Sequence, residues 1–397
     1  FPVFEWFEDP TFAIDPAPLF AEAHKEGGKG VFRNPNGDGL VAIKYQTIQA
    51  IQKHPLNQAQ NRDTRKSGPS AGSPMARLFD NHSVFMNEPV HQEVRKVALK
   101  AISWPGNKTI ASRVAAIAHQ VLDSLPDSEE IDLVNDYAKP VAAHYWCQLC
   151  GISPEEVNNL IEWTTGIGGL LAFHPTDKTQ SAAAEAANQL TSLMESAAQG
   201  IDYTAVSVAK DLLKEIDLPG KPSSAMALIA AMSFDGVDGG AGMIANALHH
   251  LFSISNLEKS IRTNPNNVSS LWLETARLTP PLLGLFRCPI EDFEYEGVVF
   301  PAGINILTLN AAGNQDPDKF DNPEKFDLNR KKSVLLSFGG YARACIGQNM
   351  ARIQSETAII ALLERTKEIK RTSTELDWGA PGLLRVKSRL PVCLRKA

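Results

Sequence analysis

Ser337-Phe338-Gly339-Gly340-Tyr341-Ala342-Arg343-Ala344-Cys345-Ile346-Gly347 is the stretch that decides how the rest of the chain is read. Small, flexible residues surround one cysteine, and an arginine stands two places before it. Behind it Ile346, Met350, Ile353, Ile360 and Leu363 recur at spacings of 3, 4 or 7. That recurrence predicts one buried face of a helix. A thiolate at a helix N-terminus is favoured by the positive end of the dipole. Small flanking residues let the backbone approach a large flat ligand and aim amides at the sulfur. These are the needs of a thiolate that ligates haem iron.

An isolated free cysteine is ordinarily just a packed residue, so the assignment depends on what stands elsewhere. Glu274-Thr275-Ala276-Arg277 lies upstream on a helical run with Leu271, Leu273 and Leu278. Pro280-Pro281, Arg287 and Pro323-Glu324-Lys325-Phe326-Asp327 follow, and His91-Gln92-Glu93-Val94-Arg95 comes far earlier. In this order the motifs resemble the cytochrome P450 family: a haem-propionate HxxxR, an ExxR helix, a haem-facing strand, a PERF-like turn and the cysteine loop. The resemblance runs from near Pro10 to the C-terminus. ExxR alone recurs by chance in long chains; the ordered set carries the identification.

The resemblance implies a mainly α fold with a minor β region, residues 1–397 forming a single domain. Haem b would lie between a long distal helix and the cysteine-loop helix, with Cys345 as the metal ligand. His91, Arg95, Arg287, Phe338, Gly339, Arg343 and Gly347 match the family's haem contacts. A haem has two propionates, and burying them requires cations and donors. His91 and Arg95 are i and i+4 and share one helix face. Glu274 and Arg277 are expected to be structural, pairing with each other and tying their helix to the segment before the cysteine.

Composition agrees with a large globular chain. Of 397 residues 43% are hydrophobic, ample for a core. A net charge of −6 argues against a general nucleic-acid binder. No N-terminal run approaches the ~20 apolar residues of a membrane span. Phe1-Pro2-Val3-Phe4-Glu5-Trp6 carries charge at once and does not read as a signal peptide. Five unevenly placed cysteines do not suggest a disulfide framework. The expectation is a soluble, cytoplasmic, bacterial-type protein.

Along the chain, residues 30–45 read as a hairpin with a turn at Asn34-Pro35-Asn36-Gly37-Asp38-Gly39. Residues 57–82 are polar with scattered Gly and Pro and read as a long, functional loop. Helical patterns dominate from 90 to 275, short strands return at 285–310, and the tail from 368 looks irregular and strand-like. Cys147-Gln148-Leu149-Cys150 has no second CxxC and reads as core packing. His249-His250 reads as an exposed or partly packed helix end. Arg330-Lys331-Lys332 reads as a solvated turn.

Two departures from the family pattern stand out. Tyr341 occupies a position where the family carries Gly, four residues before the cysteine. If that position needs positive φ, Tyr is unfavourable there. The second departure is on the long helix expected over 223–254. Gly236, Gly239, Gly240 and Gly242 fall within seven residues, although each Gly costs ~1 kcal/mol in a helix interior. They suggest a kink or close approach to a ligand. Asp238 lies 36 residues before Glu274, which fits the family's acid. Gly239 then stands where the family has its oxygen-activating threonine, and Asp235 where a small residue is usual.

Asp235, Asp238 and Gly239 are therefore the candidate catalytic positions. A carboxyl buried beside haem has its pKa raised by desolvation, which suits a proton donor. Candidate substrate walls are residues 57–84, 164–175, 234–237 and 282–285, with Phe234, Val237, Leu282 and Leu283 as lining residues. The expected activity is a monooxygenase that inserts one oxygen atom into a small organic substrate, with a lean towards one bearing polar groups, by hydroxylation or O-demethylation. Electrons would come from a separate ferredoxin-like or flavodoxin-like partner. Alternatives are a peroxygenase, a nitric-oxide reductase-like enzyme or a rearrangement catalyst, and a non-catalytic haem sensor.

Overall fold

The computed structural model describes residues 1–26, 28–35, 39–55, 57–59, 72–197, 203–374, 378 and 382–397. Among them the helices run α1 (Ala17–Lys25), α2 (Tyr45–Lys53), α3 (Pro74–Asp80), α4 (Val90–Ser103), α5 (Asn107–Ser124), α6 (Lys139–Cys150) and α7 (Val157–Gly168). They continue as α8 (Asp177–Ala197), α9 (Ala205–Leu213), α10 (Ala225–Ser253), α11 (Leu257–Thr263), α12 (Val268–Leu278), α13 (Asn310–Gly313) and α14 (Gln348–Glu364). The strands are β1 (Val31–Arg33), β2 (Gly39–Ala42), β3 (Asn57–Gln58), β4 (Glu130–Asp132) and β5 (Leu285–Pro289). They are followed by β6 (Phe293–Tyr295), β7 (Val298–Phe300), β8 (Asn305–Thr308), β9 (Thr366–Arg371) and β10 (Pro391–Lys396).

The helical body is built around α10. Its N-cap Ser224 accepts from the Ala227 amide, and 29 residues follow without interruption. The glycines do not interrupt the helix, and three of the four serve close packing. A Cβ at Gly236 would stand 1.9 Å from the Trp146 ring of α6. At Gly240 it would meet Gln354 of α14 at 2.9 Å, and at Gly242 it would meet Val386 at 2.8 Å. Gly239 alone opens on space, with nothing within 4 Å. Around this axis Leu228, Ile229, Ile244 and Leu248 join Val141, Trp146, Ile359 and Leu362 in one apolar cluster.

A five-stranded sheet, ordered β1-β2-β8-β5-β3, flanks the helices. The expected hairpin is present as β1 and β2, with Val31 opposite Ala42; its turn residues 36–38 lie outside the described residues. β2 runs parallel to β8, Leu40 beside Ile306. β5 runs antiparallel to β8 and places Arg287 beside Ile306.

Two regions differ from the sequence reading. The 57–82 loop contains α3, because the Ser73 hydroxyl accepts from the Ala76 amide, Pro74 occupies the first turn, and Met75, Leu78 and Phe79 share a buried face. Residues 60–71 of that loop lie outside the described residues. The tail is more regular than expected: β10 pairs with both β9 and β4 in a three-stranded sheet.

Candidate active site

The cysteine loop folds on itself through backbone bonds. The Cys345 amide donates to the Phe338 carbonyl at 2.7 Å, and the Gly339 amide donates to Leu336 at 2.8 Å. Gly339 has φ +62°, and a Cβ there would press within 3.3 Å of the Arg343 carbonyl. Tyr341 also has a positive φ, 57°. The backbone demand expected at this position is therefore real, and the tyrosine meets it with its side chain half in solvent. The Phe338 ring stacks on Trp272 of α12 at 5.1 Å, which fixes the loop's floor.

Burial pushes the Cys345 thiol up, while hydrogen bonds from the Gly347 and Gln348 amides at the start of α14 pull it down. The residue has exposed surface, yet protein surrounds the sulfur closely enough to desolvate it. Those two facts together place Cys345 on the wall of a recess. Asp235 and Arg95 act on the sulfur electrostatically, so both approach the same recess.

Four basic side chains converge there from three parts of the chain. His91 and Arg95 come from α4, Arg287 from β5 and Arg343 from the cysteine loop. Burial, and after it the neighbouring Arg343, lowers the Arg287 pKa to about 10. Burial and then Arg343 likewise lower His91. Arg343 itself donates to the Met86 carbonyl at 2.9 Å and to Asn87 Oδ1 at 3.2 Å. Among the described residues Arg95, Arg287 and Arg343 form no ion pair with a carboxylate, while His91 Nδ1 lies 3.0 Å from Glu88. Mutually repelling, desolvated cations are costly unless an anion joins them. A group carrying two carboxylates above a thiolate fits this donor set.

Behind the loop, Glu274 and Arg277 form a buried network. Arg277 Nε and an Nη donate to the two Glu274 oxygens at 2.8 and 2.9 Å. The same guanidinium reaches the Pro323 carbonyl at 2.6 Å and the Lys325 carbonyl at 2.8 Å. Arg330 Nε donates to Glu274 at 3.1 Å, so Arg330 belongs to the network and not to a solvated turn. Asn314 accepts from the Leu336 amide at 2.8 Å and bonds to Ser337 at 2.5 Å. Asn314 and Arg330 escaped the sequence reading. A polar residue halfway between two motifs and an arginine in a basic run gave no periodic signal.

On α10 the candidate residues separate. Asp235 is exposed towards the recess, and its Oδ2 lies 3.0 Å from His82 Nε2. Asp238 turns towards α7 and bonds to Thr164; a Cβ at Gly168 would lie 2.9 Å from its Oδ2. Burial pushes its carboxyl up to about 7, with Thr164 and Lys139 opposing. Val237 is 1% exposed, because it stands two residues from Asp235 and so roughly 200° around the helix. It packs in the core and does not line the recess. Phe234 is also a core residue, directed towards α7. Leu283 packs with Phe7 and Phe12 in a separate apolar cluster, whereas Leu282 is half-buried and bridges to Leu384.

The other motifs are absorbed by packing. Cys147 and Cys150 are buried on α6, where desolvation raises both thiols. His249 is buried against Trp378 at 5.1 Å, and His250 bonds to Thr279 at 2.8 Å; this end of α10 is packed. Among the described residues no helix is long and apolar enough to cross a membrane.

Fold and site together define a haem-thiolate enzyme, and comparison with known proteins says the same. A family model described as Cytochrome P450 matches residues 271–388. Cytochrome P450 monooxygenase PikC of Streptomyces venezuelae is 26% identical over 397 residues, covering 97% of this chain and 92% of that protein. Vitamin D(3) 25-hydroxylase of Pseudonocardia autotrophica is 25% identical, covering 97% of this chain and 95% of its own. The crystal structure of P450BioI in complex with hexadec-9Z-enoic acid ligated acyl carrier protein superposes with a TM-score of 0.86 at 21% identity. It covers 98% of this chain and 100% of that one, and that likeness shows the fold. The chain belongs to the cytochrome P450 family, and it is an oxidoreductase of the monooxygenase class.

Proposed function

We propose that this protein holds haem b through Cys345 and oxidises a small organic substrate bearing polar groups, with electrons from a separate ferredoxin-like or flavodoxin-like donor. The observation that carries the reading is the recess itself: one amide-bonded sulfur flanked by Arg95, Arg287 and Arg343. Bound haem supplies oxygen activation, and electron donation from a thiolate favours O–O cleavage. Gly347 and Gln348 donate to the sulfur and stabilise its ionised form. Arg95, Arg287, Arg343 and His91 bind the two propionates and orient the ring.

Protons must reach the reacting oxygen, and Gly239 has no hydroxyl to hold them. Asp235, one helical turn before Gly239 on the same face, is the group that holds water or a substrate hydroxyl there. Asp235 in turn adds to the upward shift of the buried Asp238 carboxyl. A second reading is favoured by the same glycine. Without a hydroxyl at that position, peroxide can be the oxidant and the reductase dispensable.

Product formed per electron consumed distinguishes the two. With a ferredoxin-type donor, Asp235→Ala is expected to lower coupling and release more peroxide. A Cβ added at Gly239 meets nothing within 4 Å, and Gly239→Thr is expected to restore coupling in that background. Turnover with peroxide alone at an undiminished rate, and none with the donor, would replace the first reading by the second.

A further inference from the structure

His82 and Asp235 stand 153 positions apart in the chain and meet at 3.0 Å. His82 precedes the short turn Ser83–Phe85, and Asp235 lies on α10. The imidazole is buried, its ring edge resting on Phe85 at 5.7 Å. Its tautomer follows from its neighbours. The Val84 amide donates to Nδ1 at 3.1 Å, so Nδ1 is the acceptor and the ring proton sits on Nε2. That proton is donated to Asp235 Oδ2. The histidine is neutral in this arrangement, and the pair carries the single negative charge of the carboxylate.

A neutral donor orients a carboxylate without cancelling its charge. The Asp235 side chain is 54% exposed, so it still presents an acceptor edge. Its charge acts on both Cys345 and Asp238, so the carboxylate stands within electrostatic reach of the sulfur. Closing a bulky substrate over that edge strips its water; a neutral hydroxyl can hydrogen-bond the carboxylate but leaves its net charge in place. An ammonium group compensates it. We propose that His82 and Asp235 form an anionic subsite that binds the ammonium group of an amine-bearing substrate and so sets which carbon is presented for oxidation. The proposal rests on the haem-thiolate reading of the same recess. Asp235 contacts the substrate; His82 is a positioning residue. With Nδ1 held by the Val84 amide, the ring does not relay protons.

The test compares benzyltrimethylammonium with its uncharged carbon isostere neopentylbenzene, neither of which has a lone pair to ligate iron. Affinity for the full-chain holoprotein is measured by calorimetry and by the low-to-high spin absorption change. The cation is expected to bind wild type about tenfold or more tightly than the isostere. Asp235→Asn should bring the two affinities together. His82→Leu should lower the preference about threefold or more, and His82→Gln, which keeps a donor near the Nε2 position, should restore it. Equal affinities in wild type, no binding of the cation, or a preference that survives Asp235→Asn each overturns the subsite. The reduced carbon monoxide spectrum of every variant separates the two layers. A thiolate-type band without cation preference sinks only the subsite, whereas a wild type lacking that band sinks the haem-thiolate reading.

Discussion

The two walls of the recess are built on opposite principles. On the cysteine side Glu274 meets Arg277, Arg330 and the Asp327 amide, and Arg277 in turn ties down the carbonyls of Pro323 and Lys325. Each group has several partners, so no single rotamer can change alone. On the α10 side Asp235 has one polar partner among the described residues, His82, and Gly239 has open space. One wall is over-determined and fixed in a single geometry. The other is sparsely constrained, which leaves room for its residues to follow the substrate. A buried network with every member satisfied specifies one geometry; a half-exposed carboxylate does not.

The contrast predicts a gradient of mutational effects. Cys345→Ser should be the most severe, abolishing the thiolate-type absorption band of the reduced carbon monoxide complex; persistence of the band would assign the ligand elsewhere. Next come Glu274→Ala and Arg277→Ala, each leaving a buried charge unpaired at a cost of ~3–5 kcal/mol. Denaturant unfolding and holoprotein yield should both register that loss, and normal yield in both variants would remove the rigid wall from the comparison. Gly236→Ala forces a Cβ into the Trp146 ring and should cost ~1–3 kcal/mol by overpacking; an unchanged melting temperature would show that α6 and α10 can part.

A further expected effect is a pH dependence. Burial raises the Asp238 carboxyl to about 7 in the folded protein, against an ordinary carboxylate value of about 3.9 unfolded. The folded state therefore binds the extra proton between these values, and stability contributed by Asp238 is present at low pH and lost as pH rises through that window. Asp238→Asn should flatten that part of the stability profile, with little change below about pH 4. A wild-type profile that rises more steeply than the variant's between pH 4 and 7 would contradict the burial.

The rigid wall was the more legible in sequence. Cys345, Glu274, Arg277 and the glycines announced themselves because their chemistry demands particular residue types at fixed spacing. The α-rich fold and the β1–β2 hairpin followed from period and turn signals in the same way. The sparse wall was read less well. Val237 looked like a lining residue because a sequence window ignores which side of a helix faces what. His82 was missed because its partner is 153 positions away and no local pattern links them. Within the supposed loop α3 was missed although Ser73-Pro74 is a start signal, because polarity and scattered Gly and Pro across the flanking residues outweighed it.

The pairing of β2 with β8 has a consequence for synthesis. Leu40 lies beside Ile306, so the β1–β2 hairpin waits for some 266 further residues before its neighbour exists. At ribosomal rates of about 5–20 residues per second, the delay is roughly 13–50 s. During that interval β2 has one unsatisfied edge, with Leu40, Val41 and Ala42 in sequence, the kind of segment that recruits foreign strands. The nascent protein is thus most vulnerable to aggregation at its first-made sheet, long before the cysteine loop leaves the ribosome.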